Sequence, residues 1–534
     1  MTSSGTTDLA ASAATLLDLA EALAARFAET ARSHTSVACQ RAILRAIGVT
    51  GLAPNGRPLA LEVVRRFSTA NRRLLRGGIA LPFALAAHEY DLEPQQLALE
   101  VAQGHVDLAA EAELLRERSR SGPARALLDT WLESADDRFE ANRVARAELA
   151  ELFGAPPSPC VAVELRAFDA REAAADAAAL VGAGADLVRV RVPRDGELRD
   201  DLGGVAAEDE WPVGPDAPPP AGSQRGLALL RAALDEAGAR HGGYARLAAR
   251  RVGLAAPELA VVAGFERVDA VFVDPLEAIA EFAVDPARAF VDHALAEALL
   301  LRSGARLVIG PGPLVAPEAP HTPDEVTAAS GGALALQALS RAFALRNGWS
   351  VDRLDLGAFP TFIPPREQAT RGLLEVGLRS MLFPGHRLVI DVHVAEATGA
   401  ALPALLGAWL AQGDQIGAVF VPHAAAEVGR ARDGLRGAGL VADAFANARA
   451  VGAYRGTALE RASAALEHAV GVLRTVERAG LAALFGPREW LGAEGMETWG
   501  SGDPAGAWAW RVEPGTSPSS GGLVVDSREG SGSA

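Results

Sequence analysis

The sequence contains no lysine; every basic side chain in its 534 residues is arginine or histidine. The bias reads as a coding preference for arginine, but it has a chemical consequence. Without a side-chain amine, no carbonyl cofactor can be anchored through a Schiff base to a residue of this chain. A GxxxxGK[ST] phosphate loop is excluded for the same reason. Cysteine is almost absent. Cys39 and Cys160 form no CxxC pair and cannot build a thiolate cluster, so a reducing, cytoplasmic compartment is expected. Positive charge is in deficit: the formal net charge is −16, which argues against nucleic acid or an anionic membrane surface as partner. Long hydrophobic runs are missing too. The most apolar segment, GALALQALSRAFAL, is broken at Arg341, short of the roughly 18 residues that span a bilayer. The first residues carry Asp8 and Glu21 and no basic cluster, unlike a secretory signal.

What is present is alanine and leucine, in two kinds of pattern. Residues 1–157 read as helical. TLLDLAEALAARFAETA and ALLDTWLESADDRFEANRVARAELAELF place apolar residues at three- and four-residue spacing. GAPPSPC (154–160) then punctuates the chain. From 158 to 425 short β-type runs alternate with Ala/Leu-rich stretches. The runs are CVAVELRAF, DLVRVRVP, YARLAAR, VDAVFVDP, RLVIGPG, RLDLGAF, RLVIDVH and GAVFVPH. Eight such runs predict an α/β fold, a (β/α)8 TIM barrel with helical N-terminal and C-terminal additions; a doubly wound sheet is the alternative. GPDAPPPAGS (214–223) reads as part of a long βα loop, which in a barrel belongs to the catalytic face. Residues 426–485 return to helix, and 486–534 are Gly/Ser-rich and expected to be largely disordered.

Recognisable catalytic motifs are few. There is no HExxH and no GxSxG, and GPGP (310–313) fits a turn after a strand better than a dinucleotide fingerprint. His386, His393 and His423 lie at or after the last two strands, but ordinary loop and strand-end histidines account for them better than a metal site does, and no metal is expected. Asp391 and His393, two residues apart on a strand, share a face, and with His423 they are the candidates for acid/base work. Arg191 and Arg194 around the second strand, and Arg246, Arg250 and Arg251 around the third, are the candidates for holding a phosphate or carboxylate.

The order of segments resembles the α subunit of lysine 5,6-aminomutase. HTSVACQRAILRAIGVTGL (34–52), VAQGHVDLA (101–109), GADLVRVRV (184–192), YARLAARRVGLAAPELAVVAGFERVDAVFVDPL (244–276), FVDHALAEALLLRSGARLVI (290–309), LFPGHRL (382–388) and ERAGLAALFG (477–486) follow the family's order. GFERVDAVFVD is the most specific of them. The resemblance implies a barrel with helical additions, paired in a heterotetramer with a B12-binding β-type subunit that also supplies the lysine for pyridoxal phosphate. It implies adenosylcobalamin, held mainly by that partner, a small amino-acid substrate, and a radical 1,2-shift of a terminal amino group in lysine metabolism. Nucleic acid and membrane are not implied partners.

The family's contact residues are largely replaced. Its phosphate-binding arginine and serine after the second strand fall on Val192 and Glu197. Its Asn and Ser after the third fall on Ala249 and Val252, the ring-covering tyrosine on Glu277, and a following arginine near Ala283. Its substrate-binding aspartate falls near Gly312 and its substrate-binding lysine on Ala395. Glu197 and Glu277 put negative charge where a phosphate or ring is expected. RLVIDVHVAEATG (387–399) also opens like the Asp-x-His-x-x-Gly cobalamin signature, but Glu396 stands where that motif has glycine.

Overall fold

A computed structural model describes residues 3–31, 37–70, 79–108, 110, 114–115, 118, 122–154, 159–167, 169–192, 221–222, 224–251, 256–273, 296–310, 323–358, 376–391, 416–421, 423–435, 451–479, 509–512 and 523–526. All eight strand runs form strands: β1 Cys160–Glu164, β2 Leu187–Val192, β3 Arg246–Arg251, β4 Ala270–Val273, β5 Arg306–Ile309, β6 Leu354–Ala358, β7 Arg387–Asp391 and β8 Ile416–Val421. They pair in parallel, each with the next, and β1 closes on β8. The chain is therefore a (β/α)8 barrel, and the doubly wound alternative is excluded.

Period-two alternation sorts the strand residues into two environments. Val161, Val163, Val188, Val190, Leu247, Ala249, Leu388 and Ile390 face the helices and join the large outer core. Cys160, Ala162, Leu187, Ala248, Ala270, Phe272, Val308, Val389, Ala418 and Phe420 pack together inside the barrel. The inner residues come in layers, as alternate strands of a closed barrel require. Cys160, Arg246, Arg306 and Arg387 are the first residues of β1, β3, β5 and β7, and Ala162, Ala248, Val308 and Val389 are the third. An apolar waist thus separates a charged floor at the strands' N-terminal ends from a charged mouth at their C-terminal ends.

The helices are α1 Ser3–Ala31, α2 Val37–Ala46, α3 Leu59–Ala70, α4 Ala80–Tyr90, α5 Pro94–Gln103, α6 Gly122–Phe153, α7 Ala170–Gly182, α8 Gln224–His241, α9 Ala256–Phe265, α10 Pro323–Arg346 and α11 Val451–Ala479. Residues 296–303, 376–382 and 425–435 are also helical. Asp169 starts α7, its carboxylate accepting from the amides of Arg171 (2.7 Å) and Glu172 (3.0 Å). The segments α2 to α5 and the start of α6 share a core of their own around Phe67, Phe83 and Leu97. Further along, α6 reaches the barrel. Phe139 stacks on Phe265 at 5.3 Å between centroids, and the Asn142 amide donates to the last carbonyls of α9, Gly264 and Phe265, at 2.8 Å.

The first and last helices of the described chain meet on the barrel. Leu16, Ala20, Leu23 and Ala24 of α1, at helical spacing, and Leu466, Ala469, Leu473 and Val476 of α11 bury against α10. Gly331 permits this approach, because a Cβ there would lie 2.5 Å from the Ala465 carbonyl. Within the expected tail, β9 Ala509–Val512 and β10 Leu523–Asp526 pair antiparallel. No helix among the described residues is long and apolar enough to cross a membrane.

Candidate functional site

The mouth of the barrel is built on β1, β2 and β3. Glu164 ends β1 and is the register partner of Arg189 on β2. Two residues on, Arg191 is the register partner of Arg250 on β3. These short offsets bring three guanidinium groups to one carboxylate. Glu164 pairs with Arg189 and with Arg191, and Arg250 stands 4.0 Å away. Arg189 is buried at 1% exposure, so its charge must be satisfied locally. Glu164 does part of this. The ring of Phe420 lies 3.9 Å and that of Phe272 4.7 Å from the guanidinium carbon, and the two rings meet edge to face at 5.5 Å. Arg191 is 62% exposed and Arg250 29%, so both remain within reach of a ligand.

The electrostatics follow from that count. Burial alone raises a carboxyl pKa, but here Arg189, Arg191 and Arg250 together outweigh it and hold Glu164 down at about 2. Glu164 is thus ionised across the physiological range and offsets one of three fixed positive charges. Among the described side chains three guanidinium groups meet one carboxylate, which suits a phosphate dianion or a carboxylate.

Of the residues expected from sequence, Arg191 and Arg250 are brought together here. Arg251 ends β3 in register with Val192. Asp391 ends β7 with Phe420 as its Cα partner on β8. Arg194 and His393 lie outside the described residues, as do Glu197, Val252, Glu277, Ala283, Gly312, Ala395 and Glu396. His423, two residues past β8, sets its Nε2 3.5 Å from Asp176 Oδ2 of α7, in the helical layer. His386 precedes β7 at the opposite end of the barrel. Its Nε2 accepts from Arg341 Nε at 2.7 Å, so Nδ1 carries the proton given to the Leu354 carbonyl at 2.9 Å. Burial lowers its pKa, and the nearby Arg341 acts in the same direction. Among the described residues no three of His, Cys, Asp and Glu converge as a metal site would need.

Sequence reasoning missed Glu164 and Arg189. The signal was alternation: in LVRVRV, Arg189 and Arg191 share a face, and that face is the barrel interior once Val188 and Val190 are assigned to the helices.

The fold and the mouth define the class: a (β/α)8 barrel whose C-terminal face presents fixed cations. The family follows from comparison with known proteins. The chain belongs to the family of the D-lysine 5,6-aminomutase TIM-barrel domain of the alpha subunit, whose model matches residues 10–385. It is 29% identical over 262 residues to a lysine 5,6-aminomutase alpha subunit of Fusobacterium nucleatum, covering 49% of this chain and 48% of that protein. It is 28% identical over 274 residues to the corresponding subunit of Acetoanaerobium sticklandii, covering 51% and 50%. The chain therefore spans about half the length of the curated relatives it matches. Among solved structures, a dihydropteroate synthase from Anaplasma phagocytophilum overlaps at 13% identity and a TM-score of 0.34, over 53% of this chain and 100% of that one. An overlap of that quality carries no functional argument.

Proposed function

We propose that the chain is the α-type barrel subunit of an adenosylcobalamin- and pyridoxal phosphate-dependent aminomutase in the cytoplasm, acting on a small amino acid of the lysine or β-lysine class. The observation that carries this reading, beside the family, is the gathering of Arg189, Arg191 and Arg250 on the single carboxylate of Glu164 among the described side chains. It fits the phosphate end of pyridoxal phosphate. The absence of lysine fits a division of labour in which a B12-binding β-type subunit supplies the covalent anchor and holds cobalamin. When bound, pyridoxal phosphate supplies the conjugated ring on which nitrogen migrates, and adenosylcobalamin supplies the radical that starts the 1,2-shift.

The tasks left to this chain are binding, orientation and exclusion of water. Arg191 and Arg250 hold the anion; Arg194 and Arg251 remain candidates for it by their sequence positions. Glu164 keeps the guanidinium groups from repelling one another. Arg189, clamped by Phe272 and Phe420, closes the barrel below the mouth and keeps solvent from rising through it. Asp391 and His393 are the residues assigned to hold or deliver a proton; His423, the third candidate, is turned to Asp176 in the helical layer and is not assigned that task.

A second reading rests on the replaced contacts. Glu197, Glu277 and Ala395 favour a barrel that supports a mutase complex without turning over substrate. Co-expression with a partner carrying Asp-x-His-x-x-Gly and a lysine separates the two. With both cofactors added, lysine or β-lysine should shift the cofactor absorbance and cleave the cobalt–carbon bond. A stable complex that shows neither change supports the second reading. Failure to form any complex removes both, and leaves a small-molecule barrel enzyme using Asp391 and His393, which the double alanine variant then tests.

A further inference from the structure

Below the apolar waist, the aminomutase reading leaves one charged layer unused. Arg246, Arg306 and Arg387 open β3, β5 and β7, beside the Cys160 thiol that opens β1. Their side chains fall on the inner side, because the residues two further on, Ala248, Val308 and Val389, belong to the inner core. Asp355 of β6, the register partner of Arg387, provides the carboxylate. It is committed elsewhere: Arg306 binds it through Nε at 2.8 Å and Nη2 at 2.6 Å, a fork-to-fork ion pair.

That leaves two guanidinium groups. Arg387 donates from Nη2 to the Gly417 carbonyl at 3.1 Å, and its Nε is buried with no partner among the described residues. Gly417 makes the room, since a Cβ there would lie 2.5 Å from that Nε. Arg246 forms no ion pair with a described carboxylate. The nearby Asp186 is already taken by the Val161 amide at 2.9 Å and by Arg432 at 2.8 Å. Among the described residues Asp186 is matched by Arg432, and the exposed Asp352 interacts with both Arg306 and Arg353, so the floor holds five guanidinium groups against three carboxylates. Solvent reaches the layer: the Arg306 side chain is 25% exposed. Burial also disfavours the Arg387 charge, Asp355 supports it, and Arg306 and Arg246 oppose it.

We propose that the floor of the barrel is a second anion site, which takes a small oxyanion of the phosphate class between Arg246 and Arg387 while Asp355 restrains Arg306. A tetrahedral dianion would supply the acceptors that Arg387 Nε lacks and relieve the repulsion among three arginines. The site stands apart from the cofactor reading, because it lies on the other side of the waist from Arg191 and Arg250.

The test is a calorimetric titration of the full chain with inorganic phosphate. The wild type should show two sites. Arg246→Gln/Arg387→Gln should lose one of them, with at least a tenfold fall in its affinity, and Arg191→Gln/Arg250→Gln should lose the other. Asp355→Asn, which releases Arg306, should tighten the floor site severalfold. Circular dichroism and melting curves establish that each variant is folded; should the floor double variant not fold, Arg246→Gln alone replaces it. Wild-type binding in the floor variant overturns the proposal. So does loss of all phosphate binding in the mouth variant, or unchanged affinity in Asp355→Asn. A floor site that persists beside a mouth with none would instead count against the cofactor reading.

Discussion

At the mouth of the barrel Glu164 meets Arg189, Arg191 and Arg250; at the floor Asp355 meets Arg306, with Arg387 and Arg246 close by. The ingredients are the same, three arginines and one carboxylate, but the connections differ. The mouth carboxylate lies at the centre and is shared by all three cations, and the deepest of these also packs on the faces of two phenylalanines. The floor carboxylate is spent on one arginine. Among the described side chains a count of charges therefore does not distinguish the two ends. Which charge is shared does, and it sets how much each end loses when the carboxylate is neutralised.

The largest effect is expected from Glu164→Gln. It leaves three guanidinium groups facing one another, one of them without access to water, and should cost about 3–5 kcal/mol in urea unfolding. A loss below about 1 kcal/mol would mean that Glu164 does not hold the mouth together. The pH dependence gives a second, independent measure. Glu164 titrates at about 2 in the folded chain against an ordinary value of 4.5. Its contribution is therefore complete above about 4.5 and disappears as the pH falls towards about 2, a difference on the order of 3 kcal/mol. The acid limb of the stability profile should flatten by that amount in Glu164→Gln. At the floor, Asp355→Asn should cost about 2 kcal/mol, less than at the mouth, because Arg306 can turn to solvent. An equal or larger loss would reverse the ranking. Smallest of all is His423→Ala. Its contact with Asp176 is a partly exposed pair, so the melting free energy should change by less than about 1 kcal/mol.

Much of the frame could be read from the sequence, and the reasons are physical. All eight strands announced themselves, because barrel strands face apolar helices on one side and need β-type alternation to do so. The Arg191 and Arg250 assignment rested on their position at strand ends, and the register brings them side by side. Glu164 and Arg189 were missed because a charged residue within a strand reads as solvent-facing until closure of the barrel turns that face inward. Arg306 and Arg387 of the floor were missed for the same reason, since they open their strands and resemble ordinary edge charges; Arg246 was a candidate, but its place at the strand's N-terminal end, away from Arg250, came only with the fold. The destination of α1 was also hidden. Its apolar stripe predicts a buried face but not a partner, and that partner, α11, lies more than 400 residues away in the chain.

The central claim, that the mouth of this aminomutase-family barrel holds the cofactor phosphate through Arg191 and Arg250, is tested most directly by binding of pyridoxal phosphate. The titration uses the reconstituted complex with the B12-binding partner, wild type against Arg191→Gln/Arg250→Gln, followed by cofactor absorbance. Saturable binding is expected in the wild type and at least a tenfold loss of affinity in the variant; equal affinity in both would contradict a phosphate held by Arg191 and Arg250.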